Sequence, residues 1–129
     1  MTTDLWMLVG AAALHFALVI VAAGPGVLTR GVAWGMGNRE DSVGAEGWVG
    51  RAKRASANLM ENLPLFIIVV LVAHVSGHHN STTALGAMIF LGARAAHAAI
   101  YIAGVPWVRT ASYVASLAGI GLIASQLVG

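Results

Sequence analysis

The chain has 129 residues, of which 58% are hydrophobic and only 9% are charged. A soluble domain carries roughly 25% charged residues, so this composition indicates a membrane protein. The absence of cysteine excludes a disulfide framework, a thiol nucleophile and a cysteine metal site. Seven Lys and Arg against five Asp and Glu give only a small positive excess. There is no basic tail and no basic patch interleaved with aromatic residues, so nucleic-acid binding has little support.

The first predicted element is an apolar run over residues 5–23 without a formal charge. At 1.5 Å per residue this run is long enough to cross a hydrocarbon core about 30 Å thick. Its short leader carries Asp4 and no Lys or Arg, unlike the positive leader of a signal peptide, so we interpret the run as a retained span. The sequence Gly24-Pro25-Gly26 predicts a kink, and a helical extension beyond it carries Arg30 just past the hydrocarbon.

Three further apolar stretches follow along the chain. The second is cleanly apolar only over residues 63–75, so it spans the membrane only if the polar segment before it joins the same helix. The third covers residues 82–103 and the fourth about 111–128. We predict an all-α membrane protein, a single domain over residues 1–129 that forms a bundle of four transmembrane helices. The predicted spans are about 5–33, 50–75, 82–103 and 109–128.

The positions of the positive charges predict how this bundle is oriented. The connection between spans one and two holds Arg30 and Arg39, and the connection between spans three and four leads into Arg109. The start of span two adds Arg51, Lys53 and Arg54, whereas the loop over residues 76–83 has no Lys or Arg. The positive-inside rule places the Arg-rich connections in the cytoplasm and both termini outside.

Polar side chains recur at helical spacing on three of the predicted spans. The spacings are i, i+3 or i+4, and i+7, which puts the members of each set on one helical face. The sets are Arg54, Asn58 and Glu61; Arg94, His97 and Tyr101; and Arg109 and Tyr113. All three faces lie in the cytoplasmic half of the bundle. A charge at this depth costs at least about 2.5–3.5 kcal/mol, so such a cluster indicates a functional site.

The excess of Arg over acidic residues in this cluster indicates an anionic ligand, because a guanidinium group offers a planar fork of donors to a carboxylate. Glu61 is then available to pair either with a ligand amine or with Arg94. Two carboxylates, an amine and several amides fit that set, as in a small peptide such as glutathione. The polar face of span two is too long to hide within one bundle, so we infer a homo-oligomer with sites at subunit interfaces. We predict no metal site, because no carboxylate accompanies His74, His78 and His79.

The chain resembles the MAPEG family, the membrane-associated proteins in eicosanoid and glutathione metabolism. Four motifs carry the resemblance over essentially the whole chain: Asn38-Arg-Glu-Asp41, Arg54-x-x-x-Asn58-x-x-Glu61, Arg94-Ala-Ala-His97-Ala-Ala-Ile-Tyr101 and Arg109-Thr110-Ala-Ser-Tyr113. Within the family, the motifs are most similar to those of the microsomal prostaglandin E synthase branch. The resemblance implies a homotrimer of four-helix bundles, with three interfacial glutathione sites open to the cytoplasm.

The resemblance also implies roles for individual residues. Arg109 is expected to stabilise the glutathione thiolate, Thr110 to donate a hydrogen bond to its sulfur, and Asp41 to take part in proton transfer. The residues expected to bind glutathione are Arg30, Arg54, Asn58, Glu61, Arg94, His97, Tyr101 and Tyr113.

Four positions depart from the pattern of the prostaglandin enzyme, and two of them, Asn62 and Pro64, differ only in detail. Ser56 and Ala57 stand where that enzyme has a histidine and an arginine, so one carboxylate anchor is either missing or supplied by Lys53. The compact chain is typical of a bacterial member in the inner membrane, and a prostaglandin substrate is therefore not expected. We predict a membrane-bound glutathione transferase or peroxidase that acts on a lipophilic electrophile or hydroperoxide in the lipid bilayer.

Other interpretations of the same residues stay open at this point. Arg94 and Glu61 could form a structural ion pair, His97, Tyr101 and Tyr113 could be packing residues with satisfied polar atoms, and Arg109 could be a snorkelling anchor. The main alternative function is a non-catalytic glutathione- or lipid-binding scaffold of the same family. A small transporter is a third class, but it would need polar residues to continue through the non-cytoplasmic half.

Overall fold

The fold is all-helical over the parts of the chain that the structure describes. The computed structural model describes residues 1–37 and 47–128. The helices are α1 (Thr3–Arg30), α2 (Val32–Met36), α3 (Gly47–Val75), α4 (Ser81–Ala103) and α5 (Pro106–Leu127). Four of them, α1, α3, α4 and α5, are long and apolar enough to cross a membrane. The prediction of an all-α protein with four candidate spans is confirmed, and the chain is an integral, multi-pass membrane protein.

Glycine ends the first long helix earlier than the sequence predicted. Helix α1 continues through Pro25 and stops at Arg30, because Gly31 has a φ of 92°, a conformation that favours glycine. The short helix α2 then turns back towards α1. There the Trp34 ring packs so closely on Gly26 that a Cβ at residue 26 would lie 2.7 Å from it. The chain after Arg30 therefore lies against the end of α1 and does not extend it.

Helices α4 and α5 form an antiparallel pair whose far ends are joined by side chains. Asn80 caps α4 through the backbone amides of Thr82 and Thr83, and the Thr83 hydroxyl accepts from the Asn80 amide in return. The Asn80 side-chain amide also donates to Gln126 near the end of α5, at 2.9 Å. At the other end, Gly104 closes α4 in the left-handed conformation with a φ of 84°, and Pro106 begins α5 two residues later.

The bundle core lies between α3, α4 and α5, with α1 packed along α3 and α4. Phe66 of α3 and Phe90 of α4 stack with ring centroids 4.0 Å apart, and both are fully buried. On α1, Gly10 leaves room for Leu91 of α4, because a Cβ added at Gly10 would lie 2.6 Å from the Leu91 Cδ2 atom. These apolar contacts hold the helices in register and leave the polar faces of α3, α4 and α5 at one end of the bundle.

Two glycines bring the backbones of α4 and α5 into direct contact. A Cβ added at Gly86 would lie 2.6 Å from the Gly119 carbonyl oxygen, and a Cβ at Gly119 would lie equally close to the Gly86 carbonyl oxygen. Membrane helices use small residues in this way, because close backbone approach supplies the van der Waals packing that replaces a hydrophobic driving force.

We expect Gly119→Ala to lower the thermal unfolding midpoint of the purified protein by several degrees. The added methyl group meets the backbone of Gly86 and Phe90, which cannot rotate away, and overpacking of this kind costs about 1–3 kcal/mol. Gly121→Ala is the matched control on the same helix, because nothing lies within 4 Å of its Cβ position. A midpoint that is equal in the two variants would show that the α4–α5 contact is not close.

Candidate functional site

A cavity of ≈ 230 Å³ lies at the end of the bundle that carries the polar faces. It is lined by residues of α3, α4 and α5: Asn58, His97, Tyr101, Arg109, Thr110 and Tyr113. All six were predicted from the sequence as site residues, and they are brought together from three separate helices. The cavity depends on the short α4–α5 turn, which sets the last turn of α4 beside the first turns of α5.

Arg109 and Tyr101 face each other across this turn. The Cζ atom of Arg109 lies 4.4 Å from the centroid of the Tyr101 ring, a distance typical of a cation–π contact. Tyr101 therefore packs against the guanidinium group of Arg109 where both residues line the cavity. The Thr110 hydroxyl is 3.5 Å from the Pro106 carbonyl oxygen, a weak hydrogen bond that leaves it able to donate to another acceptor.

Arg94 is held behind the cavity by Asn58 of α3. Its Nη2 atom donates to the Asn58 Oδ1 atom at 2.8 Å, and the whole residue is only 1% exposed. Its Nε and Nη1 atoms are buried and have no hydrogen-bond partner among the described residues. Among the described residues, the hydrogen-bond acceptor of Arg94 is therefore the amide oxygen of Asn58, and no salt bridge joins Arg94 to Glu61.

Aromatic and imidazole rings form the inner wall of the cavity. His97 is 2% exposed, and its ring lies edge-on to Tyr101 at 5.5 Å and tilted to Tyr113 at 6.1 Å. Tyr113 also lies below Arg94, whose Cζ atom is 5.8 Å from its ring centroid. Ser116, fully buried one turn further along α5, donates to the Tyr113 carbonyl oxygen at 2.6 Å. The His97 Nδ1 atom is buried without a partner in the described parts of the chain.

The charge of this site is positive. Arg109 lines the cavity and Arg94 lies behind it, whereas none of the six lining residues is acidic. A cavity with buried cationic groups and low-dielectric walls attracts and concentrates anions. The arrangement is therefore suited to an anionic ligand, and its tyrosine and threonine hydroxyls and asparagine amide add neutral hydrogen-bonding groups.

Three predicted site residues lie outside the cavity of the single chain. Arg54 and Glu61 are exposed on α3, and Arg30 is exposed at the end of α1, with its Cζ atom 5.5 Å from the Trp34 ring centroid. Asp41 lies outside the described residues. At about 100° per residue, Arg54 and Glu61 share an azimuth that is rotated by roughly 40–60° from Asn58. Asn58 contacts α4 through Arg94, whereas Arg54 and Glu61 are exposed in the single chain.

Lys53 does not take part in this cavity either. It lines a separate groove of ≈ 290 Å³ between α1 and α3, together with Ser56 and the small apolar residues of α1. The suggestion that Lys53 replaces a missing carboxylate anchor has no support within one chain, because Lys53 lines the groove between α1 and α3 and is not among the residues that line the cavity.

The model of the MAPEG family matches residues 7–129 of this chain. The chain belongs to the MAPEG family. The match covers all four candidate membrane helices and the cavity, so this MAPEG protein is a membrane protein of a glutathione-related family. Comparison with curated proteins and with solved structures gives no match.

Arg51 makes a contact that was not predicted from the sequence: it is hydrogen-bonded to the end of α4. Its Nε atom donates to the Ile102 carbonyl oxygen at 2.8 Å. The spacing in the sequence indicates this contact, because Arg51 and Asn58 are seven residues apart and therefore share one face of α3. That face meets α4, and both residues make hydrogen bonds to α4.

Proposed function

We propose that this MAPEG protein is a membrane-bound glutathione transferase or peroxidase. In this proposal it binds glutathione in the cavity and stabilises the thiolate for attack on a lipophilic electrophile or hydroperoxide. The observation that carries the proposal is the position of Arg109, a cation held by Tyr101 in a cavity whose lining includes no acidic residue.

The residues of the cavity fit an anionic peptide ligand. Arg94 has two buried donor nitrogens without partners among the described residues, and a guanidinium group prefers carboxylate partners. Asn58, Tyr101 and Tyr113 offer donors and acceptors suited to peptide groups. Glu61 stands at the exposed edge of α3, where its carboxylate is the complement of a ligand amine. Together, these side chains complement the two carboxylates, the amine and the two amides of glutathione.

Arg109 and Thr110 are the residues we assign to the sulfur. Bound glutathione supplies a nucleophilic sulfur, whose reactive form is the thiolate and whose unperturbed pKa is near 8.5. A guanidinium group within about 4–6 Å favours the ionised form. The Thr110 hydroxyl, which forms only a long hydrogen bond within its own helix, is able to donate to the sulfur as well. Low-dielectric walls strengthen both effects.

The size of the cavity supports the proposed homotrimer with interfacial sites. A volume of ≈ 230 Å³ is below the roughly 300–1,000 Å³ of typical ligand sites, so one chain offers space for only part of the ligand. On α3 the exposed residues recur at alternating spacings of four and three, as in a coiled-coil seam: Ala57, Glu61, Pro64, Ile68, Leu71 and Val75. We propose that this face packs against neighbouring subunits, so that Arg30, Arg54 and Glu61 complete the sites.

We place the site on the cytoplasmic side of a bacterial inner membrane, with both termini outside. The support is the distribution of Lys and Arg, which lie at the site's end of the bundle. We also propose, on the four motifs, that the chain is similar to the microsomal prostaglandin E synthase branch. Asp41 keeps its proposed role in proton transfer as a hypothesis.

We expect Glu61→Gln to weaken glutathione binding at least tenfold, measured by isothermal titration calorimetry in detergent. The substitution keeps the size of the side chain and removes only the charge that pairs with the ligand amine, and losing one charged hydrogen bond costs about 1.5–3 kcal/mol. Ser76→Ala, beyond the opposite end of α3, is the control and leaves affinity unchanged. Equal affinity in the wild type and Glu61→Gln would remove Glu61 from the proposed site.

An activity assay beside the same titration distinguishes an enzyme from a non-catalytic scaffold. A scaffold binds glutathione with no need to ionise its sulfur. We expect the wild type to bind glutathione and to conjugate it to a lipophilic electrophile in the same detergent. Binding without either conjugation or peroxide reduction would favour the scaffold.

A further inference from the structure

We infer that Arg51 is a positioning residue for the sulfur-activating group, an inference that rests on the proposed function. Arg51 is not among the residues that line the cavity. Its contact is with the end of α4, and through this contact it fixes the turn on which the relative position of Tyr101 and Arg109 depends.

The first step concerns the hydrogen-bond partners of the last carbonyl groups of α4. The last four carbonyls of a helix have no partner within it. In α4, the Gly104 amide donates to Ile100 and Tyr101, at 3.0 and 3.1 Å, and the Val105 amide donates to Ile100 at 3.2 Å. The Ile102 carbonyl accepts instead from Arg51 Nε, from the first turns of α3. The positive charge also lies at the negative end of the α4 dipole, so this contact fastens α4 to α3 at the turn.

The second step is the close fit of the guanidinium group on the turn. An ideal Cβ at Gly104 would lie 3.3 Å from Arg51 Nε and 3.5 Å from Cζ. The guanidinium group therefore packs directly on the glycine that allows α4 to end. Gly104 has a φ of 84°, which glycine adopts readily and other residues rarely. Arg51 and Gly104 thus form one contact, which we name the turn clamp.

The third step is the position of the turn clamp relative to the site. Tyr101 lies in the last turn of α4 and Arg109 in the first turn of α5, on either side of residues 104–105. Their 4.4 Å contact requires a fixed angle between the two helix ends. Asn58, about 10 Å further along the same face of α3, holds Arg94 of α4. Two hydrogen bonds from one face of α3 therefore fix the end of α4 that carries the cavity.

The test is a comparison of Arg51→Met with wild type in two separate measurements. We expect the thiolate absorbance per bound glutathione, and kcat for conjugation, to fall roughly tenfold, since small misplacement of a reacting group has effects of this size. The KM for glutathione should change less than about threefold, because the ligand-binding residues remain. Arg51→Lys, which keeps a donor for the Ile102 carbonyl, should restore most of the loss. Ser76→Ala, just beyond the opposite end of α3, is the control and should match wild type.

Gly104→Ala disturbs the same contact by changing the glycine instead of the arginine. It replaces Arg51→Met in the test if that variant does not fold. It should give at least the same loss of thiolate, because a side chain at residue 104 is also strained by the positive φ. Adding Arg51→Met to it should cause little further loss, because both changes remove one contact. Single losses that multiply in the double variant, a KM that rises as much as kcat falls, or an equal loss in Ser76→Ala would overturn the inference. A wild type that forms no thiolate would instead overturn the proposed function itself.

Discussion

Replacing Arg109 by alanine should remove most of the thiolate that forms when glutathione is added to the purified protein. A nearby positive charge lowers the pKa of an ionisable acid by about 1–3 units, so losing it returns the thiol towards its ordinary value near 8.5. At pH 7 the ionised fraction should then fall tenfold or more. Ultraviolet absorbance of the thiolate measures this directly, and calorimetry should show that affinity falls by a smaller factor.

Arg109→Lys is the matched variant for this prediction. A lysine keeps the charge and loses the planar group that stacks on Tyr101, so we expect a thiolate fraction between those of the wild type and Arg109→Ala. Thiolate absorbance that is unchanged in Arg109→Ala would mean that another group activates the sulfur. Arg109 would then be a snorkelling anchor at the membrane boundary, the alternative that the sequence left open.

The second large effect is expected for Asn58→Ala. This change leaves Arg94, a residue only 1% exposed, without the acceptor that it now uses at 2.8 Å. Losing a hydrogen bond to a charged group costs about 1.5–3 kcal/mol, which should lower the thermal unfolding midpoint by roughly 5–10 °C. Glutathione binding should also be lost, because the guanidinium group is no longer held beside the cavity.

Two variants of the same helix test the cause. Asn58→Asp keeps an oxygen acceptor at the same position, so we expect folding to be retained. Asn62→Ala, one turn further on, removes a side chain that donates only to the backbone of its own helix at 3.3 Å, and its midpoint should fall far less. Similar midpoints for Asn58→Ala and Asn62→Ala would show that the Arg94 contact contributes little to stability.

Periodicity on α4 and α5 predicted the candidate site well. The spacing of His97 and Tyr101 places them on one helical face, and both line the cavity with Arg109 and Tyr113. The four candidate spans were also visible, because runs of apolar residues and the few charged residues within them are properties of the sequence alone.

The faces of α3 were resolved less well. By spacing, Arg54, Asn58 and Glu61 fall within one broad face of α3. In the structure, however, the three side chains have two different environments. Asn58 shares its azimuth with Arg51 and contacts α4, whereas Arg54 and Glu61 are exposed. Which part of a polar face meets a neighbouring helix depends on how the helices pack, and spacing does not contain that information.

Other features needed the three-dimensional structure because they depend on close approach between distant parts of the chain. Gly86 and Gly119 contact each other's backbone, yet in the sequence they are two glycines among 16. Helix α2 turns back at Gly31, where a positive φ decides the direction of the chain. The partner of Arg94 is an amide oxygen 36 residues away, whereas the charges in the sequence had offered Glu61 as one of two alternatives.

The most direct test of the account is a pH titration of glutathione bound to the wild-type protein, followed by thiolate absorbance. If the Arg109 cavity favours the ionised sulfur, the midpoint lies at least one pH unit below that of the free thiol, and thiolate is present from that lower pH upwards. The absorbance should also saturate with glutathione concentration. A midpoint equal to that of free glutathione, or no saturable binding at millimolar concentration, would contradict the assignment of this cavity to glutathione activation.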